Sequence, residues 1–390
     1  MTKPALRTVH GQPGWTVRSN SVAMTVSRLA GFMAPVTFFR DTSKPVQPYA
    51  IAPWATEKLP PGVDPIIQGL RGDFFCMPFS GGDTTYRGKT YPPHGETANR
   101  NWRLIGQSRT KNGVSLHLEM KQNAQPGTVT KSLTLLNGHN VVYSRHRISG
   151  ISGPMTFAHH PCIQFPDRPG SGRLSFSRHI HAATFYEPVE SPEVGTYSML
   201  KPKQTIDNLR RVSLIDGSST DLTSYPARRG FEDLAMICSD PTLPFAWSTV
   251  TFQREGYVYF NLKNPRILAS TVLWITNGGR YAPPWNGRHI NVMGIEEGTT
   301  FWGDGIGPSA GANDFTKRGV QTIHRLSSRR PSDVTLIMGV AKIPHGFNRV
   351  RNIRRAGDGR IALLGDNKRR VEVPLDLDFL DRGTMEGLSV

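Results

Sequence analysis

The chain has 390 residues, 37% hydrophobic and 20% charged, and its 39 glycines and 30 prolines are scattered rather than pooled in a linker; this composition excludes a disordered chain and favours strands punctuated by turns. The formal charge of +17 attracts anions, but its short clusters (351–355, 368–370 and Arg329-Arg330) are not interleaved with aromatics, so no nucleic-acid partner is expected. Cys76, Cys162 and Cys238 are too few and too widely spaced for a disulfide framework or a zinc ribbon.

Residues 1–19 read as an N-terminal arm and 20–390 as one large strand-rich domain. Val22, Met24 and Val26 alternate with small or polar residues, and Val36-Thr37-Phe38-Phe39 resumes the pattern after Gly31, which predicts two strands. Arg28 and its polar neighbours deny residues 21–39 an uninterrupted apolar core, so neither a signal peptide nor a membrane span is expected, and the location expected is cytoplasmic. A proline-rich crossing over 44–64 leads to Leu70-Arg71-Gly72-Asp73-Phe74-Phe75-Cys76-Met77-Pro78, with an arginine and glycine ahead of an apolar strand. Residues 92–102 then pack an imidazole, two amides, a guanidinium and an indole into one short stretch. Pro92 and Pro93 hold its entry extended and Gly95 allows a sharp turn, placing His94 at a strand end facing a cleft.

Residues 102–148 read as a meander, alternating at 115–120 and 128–136. Next comes His159-His160-Pro161; adjacent side chains on a strand point to opposite faces, so only one of these histidines can face a given cleft. In the strand-like 174–185, His179 and His181 share one face, a geometry metals accept, but no third ligand is assured and no metal site is assigned. Residues 186–230 read as a long surface excursion walling an active site. Strands return at 246–252, 257–262 and 270–276, followed by a glycine- and aromatic-rich loop with Trp285 and an apolar strand ending in Glu296-Glu297. Residues 334–338 and 371–380 supply the last strands.

Partial burial at the end of an apolar strand would raise the Glu296 pKa and suit it to general-base work. A carboxylate and a histidine on separate strands of one cleft suffice to move a proton on and off a polyol without metal or cofactor. Trp102, Trp285 and Trp302 offer flat faces for sugar rings, and Arg71, Asn99 and Arg100 offer directional hydrogen bonds to hydroxyls. The sequence holds no P-loop, dinucleotide fingerprint, nucleophile elbow or His-Glu-x-x-His helix.

In this order the motifs resemble the aldose 1-epimerase (galactose mutarotase) family, especially its hexose-6-phosphate 1-epimerase-like and uncharacterised branches. Residues 70–78 resemble the Arg-Gly-Gly segment, with Asp73 for the second glycine; residues 94–102 resemble His-Gly-Phe-Ala-Arg-Asn-x-x-Trp, with Ala98 for the arginine. His159-His160-Pro161 resembles the second histidine segment, and Gly294-Ile295-Glu296-Glu297 resembles Ile-Glu-Pro, with Glu297 for the proline. The resemblance implies an all-β supersandwich, a carbohydrate partner and no cofactor. It implies Glu296 as general base at the anomeric hydroxyl and His160 as general acid at the ring oxygen, with His94 also in the catalytic group. Arg71, Asn99, Arg100, Trp102, Asp233 and Trp285 would bind the sugar, with Glu232 as a competing alignment for Asp233. Acid and base are expected on opposite sides of one pocket across a sugar-sized gap. The departures at Asp73, Glu96 and Ala98 imply an unusual substrate, and the same fold admits a non-catalytic carbohydrate-binding protein or another, lyase-like, sugar-modifying enzyme.

Overall fold

A computed structural model describes residues 3–357 and 359–389. Two antiparallel sheets face each other. One has nine strands, running in space from Ser224–Tyr225 through Gly172–Phe176, Ala246–Phe252, Tyr257–Lys263, Ser332–Lys342, Val141–Ser149, Gly127–Leu136 and Gly113–Gln122 to Arg103–Thr110. The other has seven, with His179–Thr184, Phe231–Ser239, Ser270–Asn277, Val292–Thr299, Phe157–His159 and Phe75–Cys76 in sequence; Cys162–Gln164 also pairs with Val292–Thr299. Leu116, Leu133, Leu336 and Met338 from the first sheet meet Ile237, Leu273, Met293 and Ile295 from the second in one buried cluster. The architecture is the all-β one expected from the sequence.

Period-two alternation explains the outer strands but not the middle of the larger sheet, where Tyr257–Lys263 is buried at every position. The reason is a third layer. The meander of Val350–Arg355, Arg360–Gly365 and Arg370–Pro374 lays Ile353, Ile361, Leu363 and Val373 on Val258, Phe260, Tyr143 and Ile337, so this sheet has core on both faces. Two sequence expectations change here. The strand expected over 371–380 stops at Pro374, because Asp376 accepts the N–H of Asp378 in an Asx turn and Phe379–Arg382 continues as a helical turn. Residues read as an arm form the hairpin of Leu6–Val9 and Gln12–Arg18, which continues through Val22–Ser27 and Met33–Phe38 as a four-stranded sheet.

Among the described residues no helix is long and apolar enough to cross a membrane.

Candidate active site

The register of the smaller sheet lays the floor of a cleft of about 180 Å³ on its outer face. Val272 pairs directly with Glu296, and Trp274 pairs with Leu234 on one side and Gly294 on the other. Alternation then sends successive residues to opposite faces. Glu296 points into the cleft, whereas Glu297 points between the sheets, where Lys263 Nζ (2.5 Å), Ser248 Oγ, Asn261 Nδ2 and Thr271 Oγ1 satisfy its carboxylate. The pair read as a polar strand end is therefore mid-strand and buried, with one carboxylate held between the layers and the other aimed at the cleft.

His160 Nε2 lies 3.0 Å from Glu296 Oε1, and both side chains are nearly inaccessible. Among the described residues His160 is the one group of opposite potential charge within 4 Å of the Glu296 carboxyl, and no arginine, lysine or backbone N–H donates to it. Burial without compensating donors holds the Glu296 carboxyl well above the usual carboxylate range. Burial, and secondarily the nearby His94, push the His160 imidazole well below its ordinary value. Both directions favour a neutral pair carrying one proton between carboxyl and imidazole. Gly294 makes the contact possible: a Cβ there would stand 2.8 Å from Glu296 Oε1 and 3.3 Å from His160 Cε1.

The His160 ring is fixed from three directions. It stacks on Phe74 at 4.5 Å and 18°, its Nδ1 sits 3.4 Å from Cys162 Sγ, and its backbone N–H donates to Phe74 O (2.9 Å) and Asp73 Oδ1 (3.1 Å). The other Asp73 oxygen lies 3.0 Å from Nδ1 of His159, which points into the core beside Phe75 and His146. Of the two adjacent histidines only His160 reaches the cleft, as alternation requires. Asp73, which departs from the resembling motif, is thus a buried tie beneath the cleft, with its carboxylate turned away from any substrate.

His94 forms another wall. Its φ of 57° and that of Gly95, 76°, place both in the left-handed region, and a Cβ on Gly95 would come within 2.0 Å of Met77 O. The turn brings the His94 ring 5.3 Å from that of His160, with its Nδ1 buried and unpartnered. Burial and then Arg280 lower the His94 pKa to about 4. Trp274 and Trp285 line the opposite side with Arg280, whose guanidinium lies over both rings at 5.6 and 5.0 Å and pairs with Glu190. Beneath this wall Glu232 accepts from Trp274 Nε1 (3.1 Å), Thr276 Oγ1 (2.8 Å) and Gly279 N (3.3 Å). Burial nevertheless holds its pKa up at about 8. Glu190 and Val189 belong to the 186–230 excursion, so that segment does contribute to a wall.

Glu296, His160, His94 and Trp285 meet at one cleft; the other residues expected to bind sugar do not. The Arg71 guanidinium donates to the carbonyls of Gly69, Val9 and His10, clamping the N-terminal hairpin. Asn99 donates to Pro93 O and Gly95 O and accepts from Ile66 N, holding the His94 turn from behind. Arg100 pairs with Glu96 and donates to Lys121 O, and Trp102 is buried with Nε1 on Thr97 O. Asp233 faces the opposite side of its strand, accepting from the N–H groups of Met199 and Leu200, while its neighbour Glu232 faces the cleft wall. Trp302 is buried against Phe185 and Phe315. His179 and His181 do not share a regular face, because a bulge separates them, and among the described residues no cluster of three metal-ligating side chains forms. Of the two alternatives Asp233 and Glu232 it is Glu232 that backs the cleft wall, whereas Trp274 and Arg280 have no site role in the sequence reading, although the Gly278-Gly279 turn ahead of Arg280 is the local signal that a side chain is being redirected there.

The fold belongs to the galactose mutarotase-like supersandwich class. It is shared with a candidate aldose 1-epimerase from Escherichia coli K12 (13% identity, TM-score 0.55, covering 85% of this chain and 100% of that one). A galactose mutarotase-like protein from Clostridium acetobutylicum (10%, 0.57, 87% and 98%) and a galactose mutarotase related enzyme from Lactobacillus acidophilus (13%, 0.53, 85% and 99%) are similar in the same way. No family model matches the chain, and no curated protein matches it.

Proposed function

We propose that the protein is an aldose 1-epimerase-like isomerase that interconverts the anomers of a sugar at the His160–Glu296 pair. The observation that carries this reading is the 3.0 Å contact between two buried, oppositely perturbed proton carriers at the base of an aromatic-walled cleft. A sugar-sized gap between them is not required, contrary to the expectation from sequence. The anomeric hydroxyl oxygen and the ring oxygen are both bonded to C1, so groups that serve them must themselves be neighbours.

The mechanism needs one proton shared by two groups. With the proton on His160, the Glu296 carboxylate takes the proton of the anomeric hydroxyl while the imidazolium protonates the ring oxygen. The C1–ring oxygen bond breaks and a carbonyl forms at C1. The pair is left as carboxylic acid and imidazole. After rotation about the C1–C2 bond the ring oxygen attacks the other carbonyl face; His160 takes back the ring-oxygen proton and Glu296 returns one to the anomeric oxygen. Protons balance over the cycle, and no metal or redox partner enters. Trp274 and Trp285 offer faces to the ring carbons, and His94 is placed to contact a hydroxyl next to C1.

Polarimetry or exchange NMR on the purified protein tests the reading. Accelerated α/β exchange of an aldose is expected, and Glu296→Gln or His160→Asn should each slow it by about 10²–10⁴-fold while the circular dichroism spectrum is retained. Because the two groups act as a unit, the double variant should be little slower than either single one. Full exchange rates in Glu296→Gln would remove the assignment.

A further inference from the structure

The polar inventory of the cleft limits what can sit in it. Five charged or titratable side chains line it: Asp64, His94, His160, Arg280 and Glu296. His160 and Glu296 are committed to each other and, on the reading above, to the two oxygens on C1. Arg280 donates its Nε–H to Glu190, and its guanidinium carbon lies 5.6 and 5.0 Å from the two tryptophan rings. That leaves His94, Asp64, the two terminal nitrogens of Arg280 and the Trp285 indole N–H for every other hydroxyl, all but Asp64 and His94 being donors only. The rest of the side-chain wall is apolar, with Ile66, Leu70, Phe79, Leu234 and Val272 joining the aromatic faces. The side chains that would otherwise meet sugar hydroxyls (Arg71, Asn99, Arg100, Asp233) are bonded elsewhere.

We infer that the substrate is a sparsely hydroxylated aldose, in which hydroxyls away from the anomeric centre are replaced by hydrogen or capped by alkyl or aryl groups. This rests on the epimerase reading of the same cleft. A hydroxyl pressed against Leu234 or Val272 loses water without gaining a partner, at a cost of about tenfold in binding for each. A methyl or methylene in that place is instead removed from water against a matching wall.

Anomer exchange of D-glucose should be compared, by exchange NMR on the wild-type protein, with that of its 6-deoxy and O-methylated counterparts. The expected result is a kcat/KM at least tenfold higher for the deoxy or methylated sugar, with Val272→Thr, which adds a hydroxyl at constant shape, narrowing the ratio. Glucose exchanged as fast as, or faster than, every analogue would overturn the inference and leave the epimerase reading intact. Exchange of no sugar at all would overturn the epimerase reading instead. In that case saturation-transfer difference NMR decides the inference separately: the methylated sugar must bind at least tenfold more tightly than glucose, and equal or weaker binding sinks it.

Discussion

Cys162 Sγ lies 3.4 Å from His160 Nδ1 and 3.7 Å from the His160 carbonyl oxygen. One arrangement satisfies both sulfur contacts: the thiol donates to the carbonyl and Nδ1–H donates to sulfur, which leaves Nε2 as the proton-accepting nitrogen facing Glu296. Cys162 thereby acts as a positioning residue that selects the Nδ1–H tautomer. Burial, with the nearby Glu296 and Asp73 charges adding to it, holds the thiol well above its ordinary pKa, so it stays protonated and serves as hydrogen-bonding partner. Cys162→Ala should lower kcat about tenfold with KM unchanged, and the ¹⁵N shifts of the His160 ring should show lost protonation at Nδ1; Cys162→Ser should restore both. Unaltered ring shifts in the alanine variant would assign Cys162 to packing alone. At this scale the sequence displays what is local and hides what is spent. Glu296, His160 and His94 stand out because their neighbours are distinctive, and they do lie together. Arg71 and Asn99 look equally available in the text, yet backbone groups from distant segments consume them, and no spacing announces that.

The strand ends that carry the site are held together by one carboxylate. Asp73 precedes Phe75–Cys76 and receives His159 Nδ1 and His160 N from the neighbouring Phe157–His159 strand end, and His159 and Asp73 are both fully buried. Asp73→Ala leaves His159 Nδ1 without its buried partner, while the His160 N–H keeps Phe74 O, and should lower unfolding stability by about 1–3 kcal/mol, seen as a lower urea midpoint at an unchanged slope. Asp73→Asn keeps an acceptor and should fall between alanine and wild type. Loss in the alanine variant below about 0.5 kcal/mol would mean that strand pairing alone carries the junction. Element type was legible where burial alternates along a strand, as in Gly127–Leu136. Alternation gave no guide to Tyr257–Lys263, because the covering layer comes from residues a hundred positions further along the chain. Nor did it foresee the bulge between His179 and His181, since a bulge is a choice of pairing that leaves composition unchanged.

The whole molecule carries unusual numbers of titratable groups inside, and their protons set its response to pH. Burial lowers His94 and His117 to about 4 and His289 to about 3, and raises Asp233 to about 7 and Glu232 to about 8. A histidine with a depressed folded pKa binds protons better when unfolded, so its contribution is present above its ordinary value near 6.5 and is lost as the pH falls through the folded value. A carboxyl with a raised folded pKa holds its proton better when folded, so its contribution is present below about 4.5 and is lost as the pH rises through the folded value. Between 4.5 and 6.5 the two sets oppose each other. By about pH 7.5 the histidines are nearly neutral in both states, and from there to pH 8 the raised carboxyls outweigh Lys131, which at its lowered value of about 8 gives up at most half a proton in the folded state. The melting temperature should therefore fall across that window, at roughly 1 kcal/mol of stability per pH unit for each carboxyl that still holds its proton. Glu232→Gln keeps the shape and a donor-acceptor pair but cannot ionise, so its melting temperature should fall less steeply than wild type between pH 7.5 and 8, whatever its absolute value. Parallel slopes for the two proteins would mean that Glu232 is ionised in the folded state throughout, held there by Trp274, Thr276 and Gly279.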